Sequence, residues 1–221
     1  MTDTQRSVAH ILIFLKAPLP GTVKTRLARK VGDTVATNIY KSLATSQLNR
    51  VPKDYVIEVH YAPSDAGRHL SDWLGPAPEY YPQVEGDLGD RIKESVSAAF
   101  RRGAHVVLCI GADCPSLQAS HLDEASQRLS SGPNDLVIGP CPDGGYYLIG
   151  FRKDTPSLFE GVRWSAPETM EDTLQNAKKA GLKVHLLESM NDIDTANDLA
   201  SAIQKGHLPP NVQFPGDPGK T

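Results

Sequence analysis

A run of five apolar residues at 106–110 (Val-Val-Leu-Cys-Ile) constrains the fold more than any other feature of the chain. It is short, bounded and rich in β-branched residues, the pattern of a strand buried on both faces. Strands of that kind belong to largely parallel sheets covered by helices on each side. The run stops at Gly111, Asp113 follows two residues later, and Pro115 keeps the ladder from continuing. In an open α/β sheet ligands bind beyond the carboxyl ends of the strands, so Asp113 falls where a ligand or metal would be held. Capping a turn would use the same residue type.

The rest of the chain repeats the alternation this strand implies. Strands are expected at 8–15, 55–61, 79–81, 135–139, 146–151 and 183–187. Helices are expected at 23–48, 65–74, 90–102, 120–129, 167–180 and from Asp194 to about Gln204. Gly32 is a candidate break in the first helix. The 146–151 strand follows the tight-turn sequence Pro142-Asp143-Gly144-Gly145 rather than a crossover helix, so part of the sheet should be antiparallel. With no internal repeat or linker, one domain is expected over residues 1–205. It would be a doubly wound α/β three-layer sandwich with a mostly parallel mixed sheet. Residues 206–221, rich in proline and glycine, read as an extended or disordered tail.

Composition removes several function classes. The formal charge of −3 gives no basic surface for nucleic acid. Three cysteines, Cys109, Cys114 and Cys141, have neither zinc spacing nor an even count for disulfides, which suits a reducing compartment. No apolar run is long enough to span a bilayer, and the polar start of the chain lacks a signal peptide, so a cytoplasmic protein is expected. Oligomeric state is not encoded in any pattern found.

Four loops besides the one at Asp113 carry chemistry. Residues 16–27 (Lys-Ala-Pro-Leu-Pro-Gly-Thr-Val-Lys-Thr-Arg-Leu) join the first strand to the first helix, where doubly wound folds hold phosphates. Gly21 permits close backbone approach, while Lys16, Lys24 and Arg26 supply positive charge. Cations in a helix's first turn oppose its dipole, so their presence favours an anion site. Removing Lys24 or Arg26 should then weaken anion binding without destabilising the free protein. Gly86, Asp87 and Gly89 could shape a pocket for a base or ribose, or simply form a turn and helix cap. Asp143, Gly144, Gly145 and Tyr146 combine close backbone approach with a stacking surface, although Asp-Gly is also a common hairpin turn. Near the C-terminus, Asp192 and Asp194 precede a helix; either could join Asp113 on a hard divalent cation, and Asp194 could equally be the N-cap. The expectation favoured here makes Asp194 the ligand and Thr195 the cap.

Taken in order, Pro-Gly-x-Val-Lys-Thr-Arg-Leu, Gly-Asp-Leu-Gly-x-Arg, Gly-Ala-Asp-Cys-Pro-Ser-Leu, Asp-Gly-Gly-Tyr-Tyr-Leu-Ile-Gly and Asp-Ile-Asp-Thr resemble the bacterial family called domain of unknown function 2064. That family lies within the nucleotide-diphospho-sugar transferase (GT-A) superfamily, and its members are often labelled glycosyltransferases, some in connection with arsenosugar biosynthesis. The resemblance runs from Phe14 to Thr195. It implies a nucleotide across the N-terminal half of the sheet, with Lys16, Gly21, Lys24 and Arg26 facing phosphates. Asp113 would hold Mg²⁺ or Mn²⁺ together with Asp192 or Asp194. Asp143 to Tyr146 and Trp164 would approach the sugar or a small-molecule acceptor. GT-A glycosyltransferases usually carry Asp-x-Asp after the central strand, whereas Cys114 and Pro115 follow Asp113 here. The single aspartate with the Lys-Thr-Arg-Leu loop is similar to guanylyl- and other nucleotidyltransferases of the same fold.

The function expected first is a metal-dependent transferase using a nucleotide-sugar donor, with Asp113, Lys24 and Arg26 as its catalytic groups. The alternative is a nucleotidyltransferase joining a nucleoside triphosphate to a phosphorylated acceptor with release of pyrophosphate. A third reading is a nucleotide-binding protein without turnover.

Overall fold

The alternation builds a seven-stranded sheet in the computed structural model, which describes residues 9–208. Its strands are β1 (Ala9–Lys16), β2 (Val56–Ala62), β3 (Glu79–Pro82), β4 (Val106–Ile110), β5 (Leu136–Pro140), β6 (Tyr146–Phe151) and β7 (Val184–Leu186). The helices are α1 (Thr25–Val31), α2 (Asp33–Arg50), α3 (Gly67–Leu74), α4 (Leu88–Arg101), α5 (Ala119–Ser130), α6 (Thr169–Lys179) and α7 (Ala196–Gln204). The strands lie in the order β3-β2-β1-β4-β6-β5-β7. All neighbours are parallel except β6, which runs antiparallel to both β4 and β5. The mixed doubly wound sandwich expected from the sequence is therefore the fold observed. Position 8 and the 209–221 stretch of the expected tail lie outside the described residues.

Alternate residues of each strand feed two cores. Ile11, Ile13, Leu108 and Ile110 meet Tyr40 and Ala44 of α2, Leu70 of α3 and Leu122 of α5 on one face. Leu12, Val107, Ile138, Ile149 and Phe151 meet Ile92 and Val96 of α4 and Ala177 of α6 on the other. A smaller cluster of Leu27, Ile39, Leu43, Ile193 and Leu199 joins α1, α2 and α7. Every residue of β4 is buried, so this central strand has no side chain free for solvent. Its functional contribution comes from the loop at its end.

Two boundaries differ from expectation. The helix expected at 23–48 is two, broken at Gly32, whose φ of 84° lies in the left-handed region that favours glycine. Gly32 donates its N–H to the Ala28 carbonyl and accepts at its own carbonyl from Ala36, closing one helix and opening the next. The last helix begins at Ala196 rather than Asp194, because Thr195 forms a capping box with Asp198. The β5–β6 turn needs Gly144 twice over: its φ is 90°, and a Cβ there would lie 1.9 Å from the Pro167 carbonyl oxygen. Among the described residues no helix is long and apolar enough to cross a membrane.

Candidate active site

At the carboxyl edge of β1 and β4 lies a cleft of about 370 Å³, lined by Lys16, Lys24, Arg26, Gln83, Arg91, Asp113 and Asp194, with Phe14, Leu15 and Leu88 as apolar wall. Its volume falls in the range of small-molecule sites. Three loops assemble its floor. Asp113 enters from the β4–α5 loop and Asp194 from the segment before α7, and the Ile193 N–H donates to the Asp113 carbonyl at 3.0 Å, tying the two segments together. Arg50, at the end of α2, braces the same β4–α5 loop by donating to the Pro115 carbonyl at 2.7 Å.

Lys24 closes the arrangement. Its ammonium donates to Asp113 Oδ2 at 2.7 Å and to Asp194 Oδ1 at 2.9 Å, and its side chain is only 5 % exposed. Burial alone would lower its pKa; the charges and hydrogen bonds of Asp113 and Asp194 outweigh that and raise it. Lys24 is the residue before α1 and has φ 48°, ψ 42°, a left-handed conformation uncommon for a residue with a side chain. The expectation of a first-turn cation that could be removed at no cost to the free protein is corrected for Lys24, which precedes α1. It is a buried partner of two carboxylates, so its removal exposes the free protein to their mutual repulsion. Arg26 does face solvent, 67 % exposed, with Nη1 3.6 Å from Asp194 Oδ2.

Asp113, Asp192 and Asp194 each offer a carboxylate oxygen, and the three lie within 4.8 Å of one another. Burial, then the charges of Asp113 and Asp194, push the Asp192 carboxyl up to about 6. An all-oxygen set of this compactness fits a hard divalent cation such as Mg²⁺ or Mn²⁺. Thr195 Oγ1 accepts from the Asp198 N–H, and Asp198 Oδ2 accepts from Thr195, so the cap of α7 is made without the Asp194 side chain. Asp194 remains turned to Lys24.

The other residues singled out in the sequence are placed as follows. Lys16 ends β1 at the cleft rim, and Gly21 forms the turn of the following loop, with φ 81°. Asp87 is the N-cap of α4, in a capping box with Asp90; Gly86 precedes it, and Gly89 packs where a Cβ would lie 2.7 Å from Trp164. The cleft is touched instead by Leu88 and Arg91 of that turn. Asp143 accepts from the Gly145 N–H within the β5–β6 turn, beside Gly144. Tyr146 and Trp164 are half-buried against the second core, Trp164 beside Phe159. None of Asp143, Gly144, Gly145, Tyr146 and Trp164 lines the cleft.

Two contributors escaped the sequence reading of the site. The Tyr40 hydroxyl accepts from the Lys16 N–H at 2.9 Å and donates to the Lys16 carbonyl at 3.1 Å, anchoring the start of the basic loop. Tyr40 fits the apolar stripe of α2, which hides its polar end. Gln83 donates through Nε2 to the His60 and Leu15 carbonyls, which leaves its Oε1 facing Arg91. No local pattern marks it.

The family described as uncharacterized protein conserved in bacteria (domain of unknown function 2064) matches residues 47–166. No curated protein matches the chain. Among solved structures, a protein from Desulfovibrio desulfuricans G20 provisionally named a nucleotide-diphospho-sugar transferase is 35% identical. The match covers 90% of this chain and 87% of that one, with a TM-score of 0.85. The 4-diphosphocytidyl-2C-methyl-D-erythritol synthase of Anaerococcus prevotii DSM 20548 shares the fold at 15% identity and a TM-score of 0.58, over 90% of this chain and 96% of that one. The inositol-1-phosphate CTP transferase of T. maritima does so at 14% identity and a TM-score of 0.58, over 91% and 95%.

Proposed function

The chain belongs to the domain of unknown function 2064 family, and we propose that it is a transferase acting on a nucleotide-activated substrate, with the nucleotide phosphates in the cleft at the ends of β1 and β4. The observation that carries this reading is the meeting of Lys16, Lys24 and Arg26 with Asp113 and Asp194 in one cleft. Cations there suit phosphates, and the acidic set suits the divalent ion that accompanies them.

A nucleotide-sugar donor is the first substrate class. The acceptor hydroxyl oxygen bonds to the anomeric carbon, the bond from that carbon to the diphosphate oxygen breaks, and the hydroxyl proton leaves to a base. Asp113 and Asp194, with Asp192 beside them, would hold Mg²⁺ or Mn²⁺, which supplies Lewis-acid neutralisation of diphosphate charge when bound. Lys16 and Arg26 orient the phosphates and neutralise charge that develops on the leaving group. Phe14, Leu15 and Leu88 keep water from one wall of the cleft. The name of the Desulfovibrio relative supports this donor class.

One feature favours nucleotidyl transfer as a second reading: a single aspartate follows β4, where an Asp-x-Asp pair would be usual for glycosyl transfer. An acceptor phosphate oxygen would then bond to the α-phosphorus of a nucleoside triphosphate as pyrophosphate leaves. Incubating the protein with nucleotide-sugar and nucleoside-triphosphate panels, with Mn²⁺ and with chelator, separates the cases. Release of a nucleoside diphosphate supports the first reading and pyrophosphate the second. Nucleotide binding without any product leaves the third, a non-catalytic binding protein.

A further inference from the structure

The Lys24 ammonium is held by the carboxylate oxygens that a divalent ion would use. Nζ lies 2.7 Å from Asp113 Oδ2 and 2.9 Å from Asp194 Oδ1. An ion held by those same two oxygens, at roughly 2.0–2.6 Å from each, would draw on the lone pairs that now accept from Nζ. Ammonium and ion therefore compete for the same oxygens. We propose that Lys24 is the resident cation of the acidic cluster, exchanged for a divalent ion when the substrate phosphates arrive. The proposal rests on the reading of this cleft as a nucleotide site.

Charge and packing point the same way. Three carboxylates gather within 4.8 Å, and among the described residues the buried cation paired with them is Lys24. One ammonium leaves that cluster short of neutrality, with Arg26 contributing only from 3.6 Å and the solvent side. A divalent ion matches the cluster better than Lys24 does. Lys24, with its side chain 5 % exposed, cannot be left without an anion inside the protein. The nearest replacement is the phosphate of a ligand in the cleft, whose wall includes Lys24 together with Lys16 and Arg26. The left-handed backbone of Lys24 shows that its surroundings dictate its placement, as at sites where strain serves a purpose.

Two consequences follow. Divalent ion and phosphate should each strengthen binding of the other, because the ion releases the ammonium and the phosphate receives it. In the absence of phosphate, Lys24 should compete with the ion. Lys24 is in this sense a positioning residue for the cation as well as a phosphate contact.

Calorimetric titration of Mn²⁺ into nucleotide-free protein tests the competition. The Lys24→Met variant should bind Mn²⁺ about tenfold more tightly than the natural protein, within the usual span of site-to-site coupling. It should also melt lower without metal and gain more on adding Mn²⁺. A loss of melting temperature that Mn²⁺ does not restore would mark a purely structural lysine and overturn the proposal. Equal Mn²⁺ affinity in the two proteins would also overturn it while leaving the metal site standing. Absence of Mn²⁺ binding to either would overturn both. Should Lys24→Met fail to fold, ¹⁵N-lysine spectra of the natural protein decide the matter. The exchange-protected ammonium signal should vanish as Mg²⁺ saturates the site, and its persistence at saturation would overturn the exchange.

Discussion

Glu58 and Asp113 are both carboxylates close to the central strands, yet Glu58 is wholly enclosed and Asp113 is 31 % exposed at a cleft. Around Glu58 the charge is closed. Oε1 accepts from His10 Nδ1 at 2.7 Å, and Oε2 accepts from His60 Nε2 at 2.9 Å and from the Arg102 guanidinium. The His60 ring is stacked between Phe14 and Tyr81, and Arg102 lies over the Tyr81 ring. One anion thus meets three donors, and every oxygen is used. Around Asp113 the balance is reversed: two carboxylates share the buried Lys24, a third, Asp192, lies beside them, and solvent reaches the cluster. The first arrangement locks β1 and β2 to the end of α4. The second has unspent negative charge facing a cleft, the condition for recruiting a cation. What separates the closed cluster from the open one, for which a functional role is proposed, is the imbalance, not the burial of any single group.

The largest expected effect falls on the open cluster. Asp113→Asn should lower metal-dependent turnover by about 100-fold or more, since it removes a carboxylate proposed to hold the divalent ion that neutralises charge on the leaving group. Its melting temperature should change little, because Asp194 still pairs with Lys24 and the position is partly solvated. Steady-state rates at saturating Mn²⁺, set beside a thermal melt, check both halves. A variant that keeps its rate would put Asp113 in the same class as Glu58.

The closed cluster should respond in the opposite way. Glu58→Gln leaves Arg102 and two histidines without their anion, and should cost about 3 kcal/mol of stability while sparing the rate of the folded fraction. Denaturant titration measures it. Acid offers a finer probe. Burial would raise the Glu58 carboxyl, but His10, His60 and Arg102 more than offset that and hold it at about 2, against an ordinary 4.5. The stability Glu58 contributes is therefore full above pH 4.5 and lost as pH falls towards 2. Burial lowers the His60 pKa from its ordinary 6.5, against the pull of Glu58. Because the unfolded chain then binds the proton more readily, His60 withdraws stability as pH drops below 6.5. Stability of the natural protein should decline in both windows, and that of Glu58→Gln should lose the step below 4.5.

A smaller effect is expected where the two regions are joined by the basic loop. Tyr40→Phe removes the hydroxyl that serves both the N–H and the carbonyl of Lys16. It should cost about 1 kcal/mol and raise KM more than it lowers kcat, because the loop proposed to receive phosphates loses its anchor. An unchanged KM would make Tyr40 a core residue only.

The open cluster was half legible in the sequence, and the closed one was not. Asp113 stood out because a buried strand ends two residues before it, and the antiparallel β6 followed from a turn sequence with no room for a crossover helix. Gly32 announced the break between α1 and α2. These are local signals. Lys24 finds its carboxylates 89 and 170 residues away, so its burial could not be read from the loop that contains it. Glu58 and His60 alternate along β2 as residues on a solvent-facing side would, yet both are buried, and Arg102 at the end of α4 completes the set. Asp87 shows the converse: its motif allowed a pocket or a cap, and the hydrogen bond to the Asp90 N–H makes it the cap.

The smallest predicted effect tests whether the open cluster depends on its helix. Thr195 and Asp198 cap α7 between themselves, which leaves the Asp194 side chain for Lys24 and Arg26. Thr195→Ala removes the hydroxyl that accepts from the Asp198 N–H and should cost about 1 kcal/mol. The Asp198 carboxylate still accepts from the Thr195 backbone N–H at 2.7 Å, so the first turn should loosen rather than unravel. Asp194 precedes the cap and is held from the other side by the Ile193 contact to Asp113. Mn²⁺ affinity should therefore fall less than twofold in Thr195→Ala, whereas Asp194→Asn should lose it with little change in melting temperature. Calorimetry on the two variants under the same conditions checks the pair. If Thr195→Ala weakened Mn²⁺ binding as much as Asp194→Asn did, the start of α7 would itself be part of the open cluster, and the cap would be setting the carboxylate's position.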